Sequence, residues 1–384
     1  MRKVIMIGCD LHAETMVLKL AVGLGKPEVR MLPNTGPGRA KLLEWLRQRS
    51  IEAGGARVVF AYEASSQGFG LYDQLIDAGF ECHVLAPTKI ARSPKQQRDK
   101  GDEKDAEQLL ELVRGHVLAG NSLPDVWVPS LETRDDRELV RSRLDAADKL
   151  SSLKTQVKSL LARNQLRRPE GSGKGWTRLF VAWLRGLNLK PGARAVLDSL
   201  LRQLEFYDRE LKQLDLLLVQ LAAEPRYARP LGEACQLQGV GVLTALVFLT
   251  EVGDPRRFGN RRQIAAYLGL VPSRHESGSR SDCKGHITRQ GPSRVRKVLC
   301  QATWARVRYE NGDQAAYRRI VRKNPKHKKI AVVATMRRLA IQIWHAAARG
   351  MENGDSSERT SRGKNQRPQV PPPDPRLLPS LRSG

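Results

Sequence analysis

The first 125 residues alternate apolar runs of strand length with stretches of helical period. Lys3–Cys9, Met16–Val22, Glu28–Leu32, Arg57–Tyr62 and Cys82–Ala86 read as five strands, each a short apolar run between turn residues. Gly38–Gln48, Gly70–Ala78 and Glu103–Val113 carry the spacing of amphipathic helices. Three hairpin-linked strands followed by alternating helix and strand predict an α/β sheet of the ribonuclease-H type. In that topology the first and fourth strands are neighbours.

Residues 131–225 change character. Leu139, Ala146, Leu150, Leu153, Val157 and Leu160 recur at spacings of three and four, interrupted by Arg143. A more regular seam follows: Leu197, Leu200, Leu204, Tyr207, Leu211, Leu214, Leu218 and Leu221. Gly171–Gly175 and Lys190–Gly192 break the two stretches apart, and a short helix with Trp176, Phe180 and Trp183 lies between them. The pattern predicts a helical hairpin or coiled coil across 126–228. Its length favours a role in oligomerisation over a plain bundle within one chain. Residues 229–348 read as a basic, mostly helical domain, and the Ser- and Pro-rich stretch 349–384 as a disordered tail.

Charge narrows the partners. Sixty-six Lys and Arg against 40 Asp and Glu leave a formal net charge of +26, which calls for a polyanion and, before any membrane surface, a nucleic acid. No apolar run reaches the ~18 residues of a membrane span. Met1-Arg2-Lys3 leads straight into a strand pattern, without the apolar core of a secretory leader. The five cysteines form no CxxC pair, and the seven histidines form no HxxxH pair, so a zinc site or disulfide framework is not expected.

Four carboxylates are the principal chemical candidates. Asp10 and Glu63 end apolar runs, and Asp102 and Asp105 stand three apart at a helix start, on one face. Gathered in one place they would repel each other strongly, and divalent cations such as Mg²⁺ would relieve that repulsion and act on phosphate esters. The alternative is a set of solvated turn acids with a favourable charge at a helix N-terminus.

Three further segments suggest phosphate contact. Gly239-Val240-Gly241 opens a helix and would let backbone N–H groups approach a phosphate, although a plain helix entry has the same pattern. The polar loop after Pro272 holds Ser277-Gly278 among Arg274, His275, Arg280, Lys284, His286 and Arg289. Cations beside a serine favour the alkoxide and bind a phosphate. By pattern alone Ser273, Ser277, Ser279 and Ser281 are equivalent members of a Ser-rich surface loop. Arg322, Lys323 and Lys326 belong to a basic run around Asn324-Pro325 suited to phosphate contact.

Together these residues resemble the DEDD-type transposases of the insertion-sequence one-ten (IS110) class. The likeness rests on the order Asp10, Glu63, Asp102, Asp105. It rests equally on Leu237–Gly241, Glu251–Asp254, Arg257-Phe258, Ala266–Pro272, Ser277-Gly278, Ile287–Gly291 and Val295-Arg296, and covers about residues 1–350. Leu11-His12 and Pro292 depart from the usual residues of the class.

The resemblance implies a RuvC-like domain over 1–125, a coiled-coil middle over 126–228, a transposase domain over 229–348 and a tail over 349–384. It implies a cytoplasmic, nucleoid-associated recombinase in which Asp10, Glu63, Asp102 and Asp105 hold Mg²⁺ and Ser277 is the nucleophile. It further implies donor and target DNA and a noncoding bridge RNA as partners, and a homodimer that assembles to a tetramer with a composite active site. A water-dependent RuvC-like nuclease or resolvase is the alternative, and a nonenzymatic nucleic-acid-binding regulator a third reading.

Overall fold

A computed structural model describes residues 3–91, 101–173, 175–274, 284–309, 312–323 and 325–361. The chain divides into two compact units, Met1–Pro129 and Ser130–Gly384.

The first unit is built on a five-stranded sheet: β1 Val4–Leu11, β2 Thr15–Val22, β3 Glu28–Pro33, β4 Arg57–Glu63 and β5 Glu81–Leu85, in the order β3-β2-β1-β4-β5. β1 pairs antiparallel with β2 and parallel with β4, from Val4↔Arg57 to Cys9↔Tyr62. Strand alternation sends Ile5, Ile7, Cys9, Phe60 and Tyr62 to one face, packed with Leu42, Trp45 and Leu46 of α1 (Gly36–Glu52) and Leu71 and Leu75 of α2 (Gly70–Asp77). Met6, Val59 and Ala61 point to the opposite face, under Leu109, Leu110 and Val113 of α3 (Asp102–Ala119). The first and fourth strands are neighbours as expected, and the three helices fall where their period placed them. The main difference is that β1 continues to Leu11, so that Asp10 lies within a paired strand, opposite Val17, and the turn begins at His12.

The second unit is helical apart from a two-stranded ribbon. α4 (Leu131–Arg163) and α6 (Pro191–Ala223) run antiparallel. Leu153, Val157, Leu160 and Leu161 of α4 meet Leu197, Leu200, Leu201 and Leu204 of α6, together with Phe180 and Leu184 of α5 (Arg178–Arg185). At the other end, Val140 and Leu144 join Leu218 and Leu221. The leucine seam is therefore buried in cis, against α4 of the same chain. It is a hairpin, and the seam no longer requires a second copy to cover it. Arg143, which broke the apolar pattern, is buried and donates from Nε and Nη2 to Asp215 on α6 at 2.8 and 3.3 Å.

The same core continues through α7 (Pro225–Cys235), α8 (Val242–Val252), α9 (Arg261–Tyr267), α10 (Ser293–Arg306) and α12 (Lys328–Ser361). α11 (Gly312–Lys323) flanks them, its buried Asp313 paired with Arg306 of α10 and Arg338 of α12. The ends of α4 and α6 that hold Val140, Leu144, Leu218 and Leu221 thus share a core with 229–348, while α5 and the facing stretches of α4 and α6 around it form a core of their own. α12 also continues to Ser361, into the stretch read as a tail, which beyond 361 lies outside the described residues. No helix among the described residues is long and apolar enough to cross a membrane.

Candidate active site

Parity along the strands assembles the acids. Asp10 follows Met6 and Gly8 at steps of two, so it faces α3. Glu63 follows Val59 and Ala61 in the same way. The β1–β4 ladder ends at Cys9↔Tyr62, and Asp10 and Glu63 are the next residue on each strand. Gly8 explains how the helix reaches them. A Cβ on Gly8 would lie 2.2 Å from the Ala106 carbonyl oxygen and 2.3 Å from the Leu110 nitrogen. Glycine lets α3 lie directly on β1, and the first turn of α3 carries Asp102 and Asp105.

The electrostatics are those of crowded carboxylates. Burial pushes the Asp10 carboxyl above its ordinary range, Asp105 and Asp102 push it the same way, and His12 opposes them. His12 Nε2 lies 3.1 Å from Asp10 Oδ2 and 3.5 Å from Asp102 Oδ1. Ligand atoms of Asp10, His12 and Asp102 all fall within 4.8 Å of one another. The loop holding His12 is fixed from behind: Asn34 Nδ2 donates to the His12 carbonyl at 2.6 Å, and Arg39 Nε donates to Asn34 Oδ1 at 2.7 Å.

His12 was not among the expected site residues. It follows Asp10 by two, and that spacing was the available signal. Read as a turn residue it carried no facing direction. Four carboxylates offer the hard oxygen donors that Mg²⁺ prefers, and the like-charge crowding around half-buried Asp10 is what a divalent cation would relieve. Asp10, Glu63, Asp102 and Asp105 therefore suit the metal, which would polarise a phosphate and stabilise a leaving oxygen.

Ser277 and Arg280 lie outside the described residues, but the stem of their loop is described. β6 (Pro272–Arg274) pairs antiparallel with β7 (Lys284–Ile287). The base of the ribbon is locked by two glycines with positive φ. At Gly269 (φ +64°) a Cβ would lie 2.3 Å from the Gln290 carbonyl oxygen, and at Gly291 (φ +69°) 1.9 Å from that of Tyr267. Arg296 Nη1 donates to the carbonyls of Leu268, Gln290 and Gly291 at 3.2, 2.8 and 3.1 Å. Exposed Arg289 stands in this base with φ +54°. Arg274 and Lys284 begin and end the loop as strand residues.

The Gly239–Gly241 turn has a packing explanation. Gly239 has φ +84°, and a Cβ there would lie 2.8 Å from the Ala302 carbonyl oxygen of α10. Gly241 is the N-cap of α8 and supplies no side-chain cap. Arg322 and Lys323 occupy the last turn of α11, and Lys326 follows; all three are exposed.

A ribonuclease-H-like sheet with Asp10 and Glu63 on the face covered by the helix that carries Asp102 and Asp105 is consistent with a DEDD-type transposase domain. Two family models match in that order. One, described as a DEDD transposase of IS110, covers residues 7–164, and the other, the transposase IS116/IS110/IS902 family, covers 233–318.

Relatives match across both units. The protein y4qE of Sinorhizobium fredii, provisionally named as a transposase, is 29% identical over 298 residues, 78% of this chain and 70% of that protein. The transposase for insertion sequence element IS1533 of Leptospira borgpetersenii is 24% identical over 308 residues, 79% of this chain and 86% of that protein. The transposase for insertion sequence element IS1111A of Coxiella burnetii is 25% identical over 243 residues, 62% and 63% of the two chains. The chain belongs to the IS110 family of insertion-sequence transposases.

Proposed function

We propose that this transposase cuts and rejoins DNA through a phosphoserine intermediate, with Mg²⁺ held by Asp10, Glu63, Asp102 and Asp105. The observation that supports this reading is that Asp10 lies against the first turn of α3 and is crowded by Asp105 and Asp102, with Glu63 the corresponding residue at the end of the neighbouring strand. Ser277 supplies the nucleophile. Its Oγ forms a bond to the scissile phosphorus, the bond from phosphorus to the deoxyribose oxygen breaks, and that oxygen leaves with a proton. The serine's own proton passes to a neighbouring base or to water. Attack by a hydroxyl of the incoming strand reverses the step and frees the serine. The bond energy is conserved, as rejoining requires.

Donor and target DNA are the substrates. A noncoding guide RNA made from the element is the specificity partner, and a dimer pairing to a tetramer is the assembly, with the serine of one subunit acting beside the acids of another. These last readings rest on the family resemblance. The +26 charge and the locked stem of the serine loop accord with a polyanionic substrate and a positioned nucleophile.

The test is a denaturing-gel assay with protein, Mg²⁺, candidate guide RNA and labelled element-junction DNA. A slow-migrating protein–DNA adduct lost in both Ser277→Ala and Asp102→Ala is expected. Cleaved DNA without an adduct, lost in Asp102→Ala and retained in Ser277→Ala, would instead assign a metal-dependent nuclease that uses water.

A further inference from the structure

A second group of ligating side chains lies at the far end of α3. His116 stands in its last turn, about 20 Å along the helix axis from Asp102. Parity places Glu81 and His83 of β5 on the sheet face that α3 covers, with Leu85. Ligand atoms of Glu81, His83 and His116 all lie within 4.8 Å of one another. None of the three is assigned to the strand-transfer chemistry.

The surroundings orient both imidazoles. The His83 ring has Nε2 at 3.0 Å from Glu81 Oε1 and Nδ1 at 3.1 Å from Asp125 Oδ2. Both neighbours are carboxylates and only accept, so a cation bound between His83 Nε2 and Glu81 Oε1 would replace the proton shared there and leave Nδ1–H donating to Asp125. His116 Nδ1 lies 2.7 Å from the Asn121 carbonyl oxygen, which can only accept. Nδ1 therefore carries the proton and Nε2 the lone pair. An imidazole that donates one nitrogen to a carboxylate or carbonyl and offers the other is the usual outer arrangement of a metal-bound histidine. Arg57 Nε holds the other oxygen of Glu81, Oε2, at 2.7 Å and leaves Oε1 to the group. With neutral imidazoles, Glu81, Asp125 and Arg57 sum to a charge of −1.

We propose that Glu81, His83 and His116 bind a borderline-soft divalent cation of the Zn²⁺ class, with Asp125 and the Asn121 carbonyl orienting the two imidazoles. Two nitrogens and one carboxylate oxygen are donors such an ion prefers over Mg²⁺. Neighbouring ligand atoms of a tetrahedral zinc site lie about 3.3 Å apart, so closure of this group needs side-chain shifts of under about 2 Å. Side chains of His83 and Glu81 are 17% and 32% exposed, which leaves a path for entry. The site is structural in effect. It ties the last turn of α3 to the edge strand β5, and through Asp125 to the segment that bridges to Leu85. It does not depend on the transposase reading.

The test uses the full chain, stripped with a chelator and titrated with Zn²⁺ by calorimetry, with Co²⁺ absorption as a second readout. Wild type should bind one Zn²⁺ more than His116→Gln or His83→Gln, and the acid-cluster variant Asp102→Asn should keep that equivalent. Zn²⁺ should raise the unfolding temperature of wild type and not of His116→Gln. Melting of the stripped variants reports whether each is folded, and the two histidine variants serve as substitutes for one another. Asp125→Asn should weaken binding by roughly 10-fold or more. Equal stoichiometry in wild type and both histidine variants would overturn the site, as would loss of the extra equivalent in Asp102→Asn in place of the histidine variants.

Discussion

Asp10 is the residue on which the catalytic reading turns. Burial and two like charges disfavour its ionised form, and a divalent cation would reverse that preference. Asp10→Asn and Asp102→Asn are each expected to lower strand cleavage by roughly 100-fold or more, with DNA binding retained in a mobility-shift assay. Cleavage within a few-fold of wild type in both variants would remove these acids from the chemistry. Gly8 is the silent partner of the site. Gly8→Ala drives a Cβ into the backbone of α3 and should cost about 1–3 kcal/mol by overpacking, read as a lower midpoint in urea. Cleavage should fall with it, because α3 carries two of the acids. Asp10 and Glu63 were readable in the sequence as carboxylates that close apolar runs, whereas the face they share follows from the pairing of β1 with β4. His12 was not, since its position depends on β1 continuing one residue past the acid. Nor was the role of Gly8, because a close approach belongs to the pair of elements and not to either one.

At the scale of elements, the ribbon that carries the serine loop is set by its base. Gly291→Ala places a side chain at φ +69° and a Cβ 1.9 Å from the Tyr267 carbonyl oxygen. Left-handed strain and overpacking together should cost about 2–4 kcal/mol, seen as a thermal midpoint several degrees lower. A variant as stable as wild type would show that the base is free to relax. The hairpin of α4 and α6 teaches a different lesson. Its leucine seam was readable as buried, but not the identity of its partner. An antiparallel return across 164–190 satisfies the same heptads as a second copy would. The polar residue that broke the pattern, Arg143, was the informative one, because a buried guanidinium needs a carboxylate and Asp215 supplies it in cis. Asp215→Ala should cost about 2–3 kcal/mol, less than a dry pair, since the Asp215 side chain is 27% exposed. Chemical denaturation measures it directly, and a cost below about 0.5 kcal/mol would class the pair with solvated surface bridges.

For the whole molecule, charge sets how it meets DNA. An excess of 26 positive charges supplies affinity that carries no sequence information and falls with salt. Exposed Arg322, Lys323 and Lys326 are the proposed phosphate contacts at the end of α11. Each phosphate neutralised contributes about 0.9 to the slope of log affinity against log salt on duplex DNA. The triple alanine variant should therefore lower that slope by up to about 2.7, weaken binding alike on element and unrelated DNA, and leave the cleavage rate of saturated complexes within a few-fold of wild type. Asp102→Asn should do the reverse, with the slope kept and cleavage lost. An unchanged slope in the triple variant would remove these three residues from the DNA path.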